Sequence, residues 1–81
     1  MSSEVFERIA RVAASTFNCD ASKITARTIA TDVAGWDSLS HVYFVLAVER
    51  EFGLKLPTRE VINVANVGDL VKLVSRQLEQ S

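Results

Sequence analysis

The side chains that could do chemistry in this chain are concentrated in residues 35–39, which read Gly-Trp-Asp-Ser-Leu. Asp37 is well suited to cap a helix, because its carboxylate can accept hydrogen bonds from the unpaired backbone N–H groups of a first turn. Ser38 would then be the first helical residue, with its hydroxyl at the positive end of the helix dipole, where a phosphate is favoured. The motif predicts one of two roles for Ser38: a hydroxyl presented for modification, or an ordinary residue of the capping region.

A serine nucleophile is a third interpretation, and the sequence argues against it. Such a nucleophile needs an adjacent base and an oxyanion site. The only histidine, His41, lies one helical turn beyond Ser38 on the predicted core face, and we expect it to be a structural or partly exposed residue. The single cysteine, Cys19, is expected to be a buried or half-buried structural thiol. One cysteine and one histidine do not make a metal-ligand set, so we predict no enzyme, no catalytic residue and no metal site.

Length, composition and charge limit the class of protein further. The 81 residues are enough for one small domain, and we expect residues 1–81 to form a single unit. Hydrophobic residues make up 48% of the chain, which argues against disorder, and the net charge of -1 provides no basic field for nucleic acid. A lone cysteine favours a reducing compartment. We find no leader and no membrane-spanning run, so we expect a soluble, cytoplasmic monomer.

The first half of the chain is predicted to be one helix followed by a long loop. Apolar side chains at helical spacing predict the helix over about residues 3–17. Residues 18–35 show no long periodic pattern, and their threonines and aspartates favour local side-chain bonds over helix. We expect this loop to be anchored to the core by Ile24, Ile29 and Val33, and to be functional because loops of this length are unusual.

Three further helices are predicted after the loop. The second covers residues 37–52 and ends at Gly53, which can adopt the left-handed conformation. A short third helix covers about residues 59–65 and is capped by Thr58. The side chains expected to face inward from it are Val61, Ile62 and Ala65.

The fourth helix is predicted to follow Asn66, its expected cap, and to continue to about residue 79. Asp69 stands in the position of a capping-box acid. No strand pattern is evident. The predicted fold class is therefore all-α, a four-helix bundle with a short third helix and a long loop between helices 1 and 2.

The second helix carries two apolar stripes, whereas a surface helix normally has one. The first stripe, which is the better core candidate, consists of His41, Phe44, Val45, Val48 and Phe52. The second stripe consists of Leu39, Val42 and Leu46, with Tyr43 and Arg50 at its edge. Periodicity alone leaves two interpretations open for the second stripe: burial against another helix, or a partly exposed docking strip beside the serine. The polar ends of Tyr43 and Arg50 favour exposure.

Three blocks of the chain resemble the acyl carrier protein family in order and spacing. They are Trp-Asp-Ser-Leu at residues 36–39, Phe-Gly-Leu-Lys-Leu-Pro at residues 52–57 and Asn-Val-Gly-Asp-Leu at residues 66–70. The resemblance covers essentially the whole chain and implies a four-helix bundle. It implies that Ser38, flanked by Asp37 and Leu39, is the attachment point of 4′-phosphopantetheine, linked through a phosphodiester. A phosphopantetheinyl transferase would install the arm from coenzyme A, and the terminal thiol would hold an acyl group as a thioester.

The resemblance also implies roles for other positions of this chain. The positions that match the family's partner-facing residues are Leu39, Val42 and Leu46. The positions that match its core are Phe44, Val48 and Phe52. The positions that would line a pocket for the acyl chain are Val45, Ile62 and Ala65.

The chain departs from the family pattern in its charge. Carriers of general fatty acid synthesis are strongly acidic on the second helix, whereas this chain is nearly neutral and places Ser40, Tyr43 and Arg50 at such positions. Loss of negative charge slows steered encounter with a basic partner. We therefore expect a specialised carrier of a dedicated lipid, polyketide or secondary-metabolite pathway. Its docking surface would consist of Leu39, Ser40, Val42, Tyr43, Leu46 and Arg50.

The partners implied are the transferase, an acyl-loading ligase or synthase, and acyltransferases, with no nucleic acid and no membrane insertion. Two alternatives stay open from the residues. An aminoacyl or peptidyl carrier is the alternative within the same class. From another class, a non-covalent helical interaction module would use Ser38 only as a residue of the capping region.

Overall fold

Four α-helices make up most of the molecule. The computed structural model describes residues 2–80, together with the side chains among them except those of Ser2, Ser3 and Ala30. The helices are α1 (Ser2–Phe17), α2 (Ser38–Phe52), α3 (Thr58–Ile62) and α4 (Val67–Gln80), and two 3₁₀ turns span Ala21–Lys23 and Ala30–Asp32. No strand occurs within residues 2–80. The predicted all-α fold is therefore confirmed, with its short third helix and its long loop between α1 and α2. None of the helices in this range has the length and apolarity needed to cross a bilayer.

A single hydrophobic core lies where α1, α2 and α4 pack together. The largest fully buried side chains are Ile9, Phe44, Val48, Val67, Leu70 and Val74. Burial of each such side chain stabilises the fold by about 1.5–3 kcal/mol. The core therefore fixes α2, whose first turn carries Ser38, against α1 on its buried side.

The face predicted for α1 is the face that packs on this core. Val5, Ile9 and Ala13 are buried along it, and Phe17 packs at its margin. At the border of this face, Arg8 ties α1 to the end of α2. Its guanidinium donates to the carboxylate of Glu51 over 2.8 Å and to the backbone carbonyl of Glu51 over 2.7 Å. The same guanidinium lies 4.3 Å from the centre of the Phe52 ring.

Both ends of α2 carry the caps that the sequence predicts. Asp37 is the N-cap, and its carboxylate accepts the N–H of Ser40 over 2.9 Å. At the other end Gly53 adopts the left-handed conformation with φ of 65°, and its N–H donates to the carbonyl of Glu49. These two caps fix Ser38 as the first residue of the helix.

The loop between α1 and α2 crosses the start of α4 and supplies acceptors that α4 needs. The first N–H groups of a helix have no partner within it. The N–H of Val67 donates to the carbonyl of Thr28 over 2.9 Å, and that of Gly68 donates to the carbonyl of Ala26 over 2.8 Å. A Cβ atom at position 68 would lie 2.9 Å from the Ala26 oxygen, so the approach of loop and helix depends on this glycine.

Two of the three predicted loop anchors contact the core, and one does not. Ile24 is buried and Val33 is partly buried against the core. The prediction for Ile29 is wrong, because its side chain is 40% exposed. Its backbone N–H donates to the carboxylate of Asp32 over 3.1 Å, at the start of the second 3₁₀ turn. This local bond holds the turn, and the isoleucine side chain is left facing solvent.

The third helix is shorter than predicted and begins differently. It starts at Thr58, which is therefore not its cap, and Pro57 occupies the N-cap position without a side-chain bond. It ends at Ile62, because Asn63 then donates its side-chain amide to the carbonyl of Arg59 over 3.1 Å. A local side-chain bond of this kind competes with continuation of the helix.

The short length of α3 changes which side chains face the core. Val61 is buried, as predicted, whereas Ile62 is 72% exposed and Ala65, in the connection to α4, is exposed. The prediction that Ile62 and Ala65 face inward is therefore wrong. A helix of little more than one turn presents only one position directly to a core.

The start of α4 has the predicted cap with a shifted second bond. Asn66 precedes the helix and accepts the N–H of Asp69 over 2.8 Å through its side chain. The carboxylate of Asp69 accepts the N–H of Ala65 over 3.2 Å. In a capping box that acid would bond the N–H of the cap residue itself. Here the acid bonds the residue before the cap, so the connection from α3 is held against the start of α4.

Candidate functional site

Ser38 lies at the solvent-exposed start of α2. The residue before it, Asp37, is also exposed, and its carboxylate is held by the N–H of Ser40. This backbone hydrogen bond, with a further one from the Ser40 hydroxyl, lowers the pKa of Asp37 below its ordinary value. The first turn of α2 therefore presents the Ser38 hydroxyl at the positive end of the helix dipole, a position where a phosphate group is favoured.

An aromatic cluster beneath Ser38 supports the chain just before α2. The indole of Trp36 stacks on the ring of Phe17, with centroids 5.1 Å apart and planes 23° apart. It meets the buried ring of Phe44 edge-on, with centroids 5.3 Å apart and planes 77° apart. These contacts join the end of α1, the long loop and α2. The peptide that leads to Ser38 is thereby anchored on the core.

His41 links this cluster to α3. The indole Nε1–H of Trp36 donates to Nδ1 of His41 over 3.2 Å, and Nε2 of His41 lies 3.4 Å from the carbonyl oxygen of Val61. An indole N–H only donates and a carbonyl only accepts, so these two contacts match the imidazole tautomer that carries its proton on Nε2. The expectation that His41 is a structural, partly exposed residue is confirmed by its intermediate burial and these two contacts.

The same contacts bear on catalysis. Both ring nitrogens of His41 are engaged, one by an indole and the other by a backbone carbonyl. Neither is free to take a proton from Ser38, as a serine nucleophile would require. Cys19 is half-buried and packs against the core, as expected. Among residues 2–80, no group of three or more metal-ligating side chains is close enough together to hold an ion.

A cavity of about 520 Å³ opens directly beside Ser38. Its walls come from the start of α2, the end of α3 and the connection to α4. The lining residues are Trp36, Asp37, Ser38, His41, Val42, Ile62, Val64, Ala65 and Asn66. The walls are mostly apolar, with polar side chains near the serine. This cavity lies close enough to Ser38 to enclose part of a flexible chain attached there.

A second, smaller cavity of about 200 Å³ lies farther along the groove between α2 and α3. Its lining residues are His41, Val42, Val45, Leu46, Glu49, Leu56, Thr58, Val61 and Ile62. Of the three positions that the resemblance assigns to an acyl pocket, Val45 lines this cavity, Ala65 lines the one beside Ser38, and Ile62 lines both. The three positions are therefore not part of one enclosed pocket.

The second stripe of α2 is exposed to solvent. The exposed fractions of its residues are 64% for Leu39, 52% for Val42, 58% for Tyr43 and 49% for Leu46. Ser40 is partly exposed and Arg50 is exposed on the same helix. Of the two interpretations left open by periodicity, burial against another helix is thereby excluded.

The acidic side chains of α2 form a hydrogen bond and an ion pair within the protein. The carboxylate of Glu49 accepts the N–H of Leu56 over 2.7 Å, and that of Glu51 pairs with Arg8 over 2.8 Å. Arg50 has no ion pair among the described residues. The exposed stripe is therefore apolar with a positive charge at its edge.

Sequence reasoning missed the role of several residues that line the cavity beside Ser38. The sequence places Trp36 in the turn before α2 and Asn66 at the cap of α4, and it predicts neither of them, nor Val64, as a lining residue. A signal for Trp36 was present: the residue before an N-cap often packs against the fourth residue of the helix, and Trp36 and His41 occupy those two positions. For Val64 and Asn66 the sequence carried no comparable signal, because they line the cavity only as a result of the early end of α3.

Comparison with known proteins identifies what this arrangement resembles. The sequence matches a family model described as "Phosphopantetheine attachment site" over residues 7–74. The acyl carrier protein of Phenylobacterium zucineum is 33% identical over 76 residues, which cover 94% of this chain and 96% of that protein. The acyl carrier protein of Clostridium acetobutylicum is 33% identical over 76 residues, covering 94% and 99%. That of Helicobacter pylori strain G27 is 36% identical over 70 residues, covering 86% and 90%.

Proposed function

The chain belongs to the acyl carrier protein family, and from that premise we propose that it holds acyl groups on a 4′-phosphopantetheine arm attached to Ser38. Proteins of this family are carriers and not enzymes, and their cofactor is covalently bound phosphopantetheine. The observation that supports Ser38 is its position as an exposed first residue of α2, on the rim of a cavity of about 520 Å³.

The surroundings of Ser38 fit the group that the family carries. A phosphodiester at this hydroxyl would lie at the positive end of α2, and the flanking Asp37 already has its carboxylate turned to the N–H of Ser40. Leu39, on the other side, is exposed and leaves the approach to the serine open. When bound, the group supplies a terminal thiol that can hold an acyl chain as a thioester. The adjoining cavity, with Ile62 and Ala65 among its walls, is sized to shelter part of such a chain.

Carriers of this family interact with a phosphopantetheinyl transferase and with acyl-handling enzymes. We assign to this chain the partners of a dedicated lipid, polyketide or secondary-metabolite pathway: a loading ligase or synthase and acyltransferases. The support is the exposed stripe of α2, where Leu39, Val42, Tyr43 and Leu46 present apolar surface. Arg50, at the edge of the stripe, has no ion pair among the described residues, and its positive charge disfavours a basic partner.

A cytoplasmic location is part of the same proposal. It is supported by the composition of the chain, whose one cysteine, Cys19, can form no disulfide within it. Acyl-pocket roles for Val45, Ile62 and Ala65 also belong to the proposal, with Val45 in the inner cavity and Ala65 at the outer one.

Intact mass after co-expression with a broad-specificity phosphopantetheinyl transferase tests the attachment. We expect the mass of the wild-type protein to increase by one phosphopantetheine, and Ser38→Ala to remain unmodified. Ser15→Ala, which removes an exposed hydroxyl from α1, is the matched control and should still be modified. If the wild-type protein stays unmodified with several transferases, the chain is instead a non-covalent interaction module.

Loading of the modified protein tests the class of cargo. Incubation with acyl-loading and with aminoacyl-loading enzymes, followed by mass measurement, separates the two carrier classes. We expect acyl groups to be accepted. Selective loading of an amino acid would replace the acyl assignment with that of an aminoacyl or peptidyl carrier, and the attachment at Ser38 would be unaffected.

A further inference from the structure

The two cavities beside α2 meet at one set of side chains. The cavity beside Ser38 and the cavity between α2 and α3 share His41, Val42 and Ile62 as walls. A chain that starts at Ser38 and extends directly from the first cavity into the second therefore passes these three residues. Of the three, only His41 makes hydrogen bonds that join α2 to another element.

The contacts of His41 cross this passage. On one side its Nδ1 accepts the Trp36 indole N–H over 3.2 Å, and on the other its Nε2 lies 3.4 Å from the Val61 carbonyl oxygen. The imidazole thereby connects the segment before α2 to the end of α3. As long as the contact with Val61 is made, the ring stands between the two cavities.

α3 is the element that can move to open the passage. It contains five residues, and its N-cap makes no side-chain bond. Its ion pair with α4, Glu60 to Arg76, joins side chains that are 42% and 55% exposed, and exposed pairs of this kind contribute little. A short helix with few buried contacts belongs to the low-stability part of a fold. Besides the buried side chain of Val61, the contact from His41 is therefore one of the few interactions described above that hold α3 in place.

The inner cavity itself is suited to an apolar chain. Val45, Leu56 and Val61 are buried along its walls, and Leu46 and Ile62 are at its mouth. The one carboxylate in its lining, that of Glu49, is already bonded by the N–H of Leu56 over 2.7 Å. An apolar tail that enters this cavity meets mainly hydrocarbon surface.

We propose that His41 is a positioning residue that keeps the passage between the two cavities closed, and so limits how long an acyl chain the protein can shelter. This inference rests on the proposed function of Ser38. A short chain stays in the cavity beside Ser38 whether or not the passage opens. A long aliphatic chain can extend through the passage into the inner cavity when the contact between His41 and Val61 breaks.

Three variants separate the two contacts of His41. His41→Asn places a side-chain oxygen near the position of Nδ1, so it can accept the Trp36 N–H, but it is too short to reach Val61. His41→Gln places an amide near the position of Nε2 and can donate to the Val61 carbonyl. His41→Ala makes neither contact. Thermal unfolding of each variant shows whether it folds. If His41→Ala does not fold, His41→Asn and His41→Gln are sufficient for the test.

The first measurement uses the protein without the arm. Amide hydrogen exchange of Val61 and Asn63, followed by NMR, reports the opening of α3. We expect exchange to be about fivefold faster in His41→Asn, the factor that one net hydrogen bond is worth, and close to wild type in His41→Gln. Unchanged exchange in His41→Asn would overturn the role of His41 in holding α3.

The second measurement uses the modified protein loaded with a butyryl or a dodecanoyl group. The rate of thioester cleavage by hydroxylamine reports how well each chain is sheltered. We expect His41→Asn to protect the dodecanoyl thioester about fivefold better than wild type and to leave the butyryl thioester unchanged, by the same factor. His41→Gln should match wild type for both chains. Equal protection of the dodecanoyl thioester in the wild type and His41→Asn would overturn the proposal that His41 closes the passage, even if amide exchange in α3 changes. If no protein accepts the arm, the proposed function fails and the role of His41 in holding α3 is decided by exchange alone.

Discussion

The amide nitrogen of Gly68 lies 2.8 Å from the carbonyl oxygen of Ala26. This hydrogen bond brings the long loop onto the first turn of α4 and leaves no space for a side chain, because a Cβ atom at position 68 would lie 2.9 Å from that oxygen and 3.3 Å from the Ala26 Cβ. The loop held in this way is the one that ends at Trp36 and Asp37. The geometry of the site thus depends on a glycine in another part of the sequence.

Gly68→Ala should therefore destabilise the protein, although alanine is the better helix former. We expect the free energy of unfolding to fall by about 1–3 kcal/mol, the usual cost of overpacking, because a backbone carbonyl has to shift. Chemical denaturation measures the loss. Lys72→Ala, an exposed position of the same helix, is the control and should change stability by less than about 0.5 kcal/mol. Equal stability of Gly68→Ala and wild type would show that the loop can move aside freely.

The two phenylalanines of the buried stripe of α2 should differ in their contribution to stability. Phe44 is fully buried, whereas Phe52 is only partly buried beneath the guanidinium of Arg8. Phe44→Ala should cost about 3–5 kcal/mol, and Phe52→Ala roughly half of that, because less apolar surface is removed from the core. Denaturant unfolding gives both values, with Phe44→Leu as the milder variant should Phe44→Ala fail to fold. A larger loss at Phe52 would contradict the packing described here.

The cap of α2 should lose its effect at acidic pH. The backbone N–H of Ser40 holds the pKa of Asp37 below its ordinary value, so the ionised carboxylate favours the folded state. This contribution is fully present above the ordinary pKa of about 4 and is lost as the pH falls through the lower pKa of the folded protein. A carboxyl NMR titration should give a midpoint for Asp37 below that of an unfolded peptide.

Asp37→Asn provides the matched variant for this pH dependence. Asparagine caps a helix well and does not titrate, so the variant should remain folded at neutral pH with a melting temperature less sensitive to acid. The N–H of Ser22 also lowers the pKa of Asp20, so Asp20 contributes to the acid dependence in the same direction. Asp20→Asn therefore shows how much the acid dependence changes when any such aspartate is lost. The NMR chemical shift of the Ser40 amide reports the effect on α2 alone. If the chemical shift of the Ser40 amide changes with pH in the same way in wild type and in Asp37→Asn, the acid dependence of the cap does not come from Asp37.

The sequence predicted the elements that depend on local chemistry. The cap at Asp37, the left-handed Gly53 and the burial of Phe44 and Val48 all follow from residue types at neighbouring positions, and each is confirmed. The start of α2, and with it the position of Ser38, could therefore be predicted without a structure.

The features that the sequence did not reveal depend on tertiary contacts. α3 ends early, at Ile62, and Val64 and Asn66 in the connection to α4 line the cavity beside Ser38. The contact between His41 and Val61 joins positions that are 20 residues apart in the chain. Periodicity places His41 on the core face but does not show which atoms its two nitrogens contact. The shape of the cavities could not be predicted for the same reason, because it is set where three elements meet.

Reversal of the charge at Arg50 should change which enzymes the carrier meets. Arg50 is exposed at the edge of the apolar stripe and has no ion pair among the described residues. With Arg50→Glu, transfer of an acyl group from a general fatty-acid enzyme with a basic docking surface should be about two- to fivefold faster at low salt, the range expected of one exposed ion pair. The gain should fall as salt is raised, because screening weakens exposed charges.

The initial rate of that transfer, measured at several salt concentrations with the modified protein, checks this expectation. Lys72→Glu makes the same change of net charge on α4, away from the stripe, and serves as the control. If both variants gain equally, the net charge of the molecule controls the encounter and Arg50 has no special place in it. If neither gains, partner choice rests on the apolar residues Leu39, Val42 and Leu46, whose replacement by alanine would then slow the native partners instead.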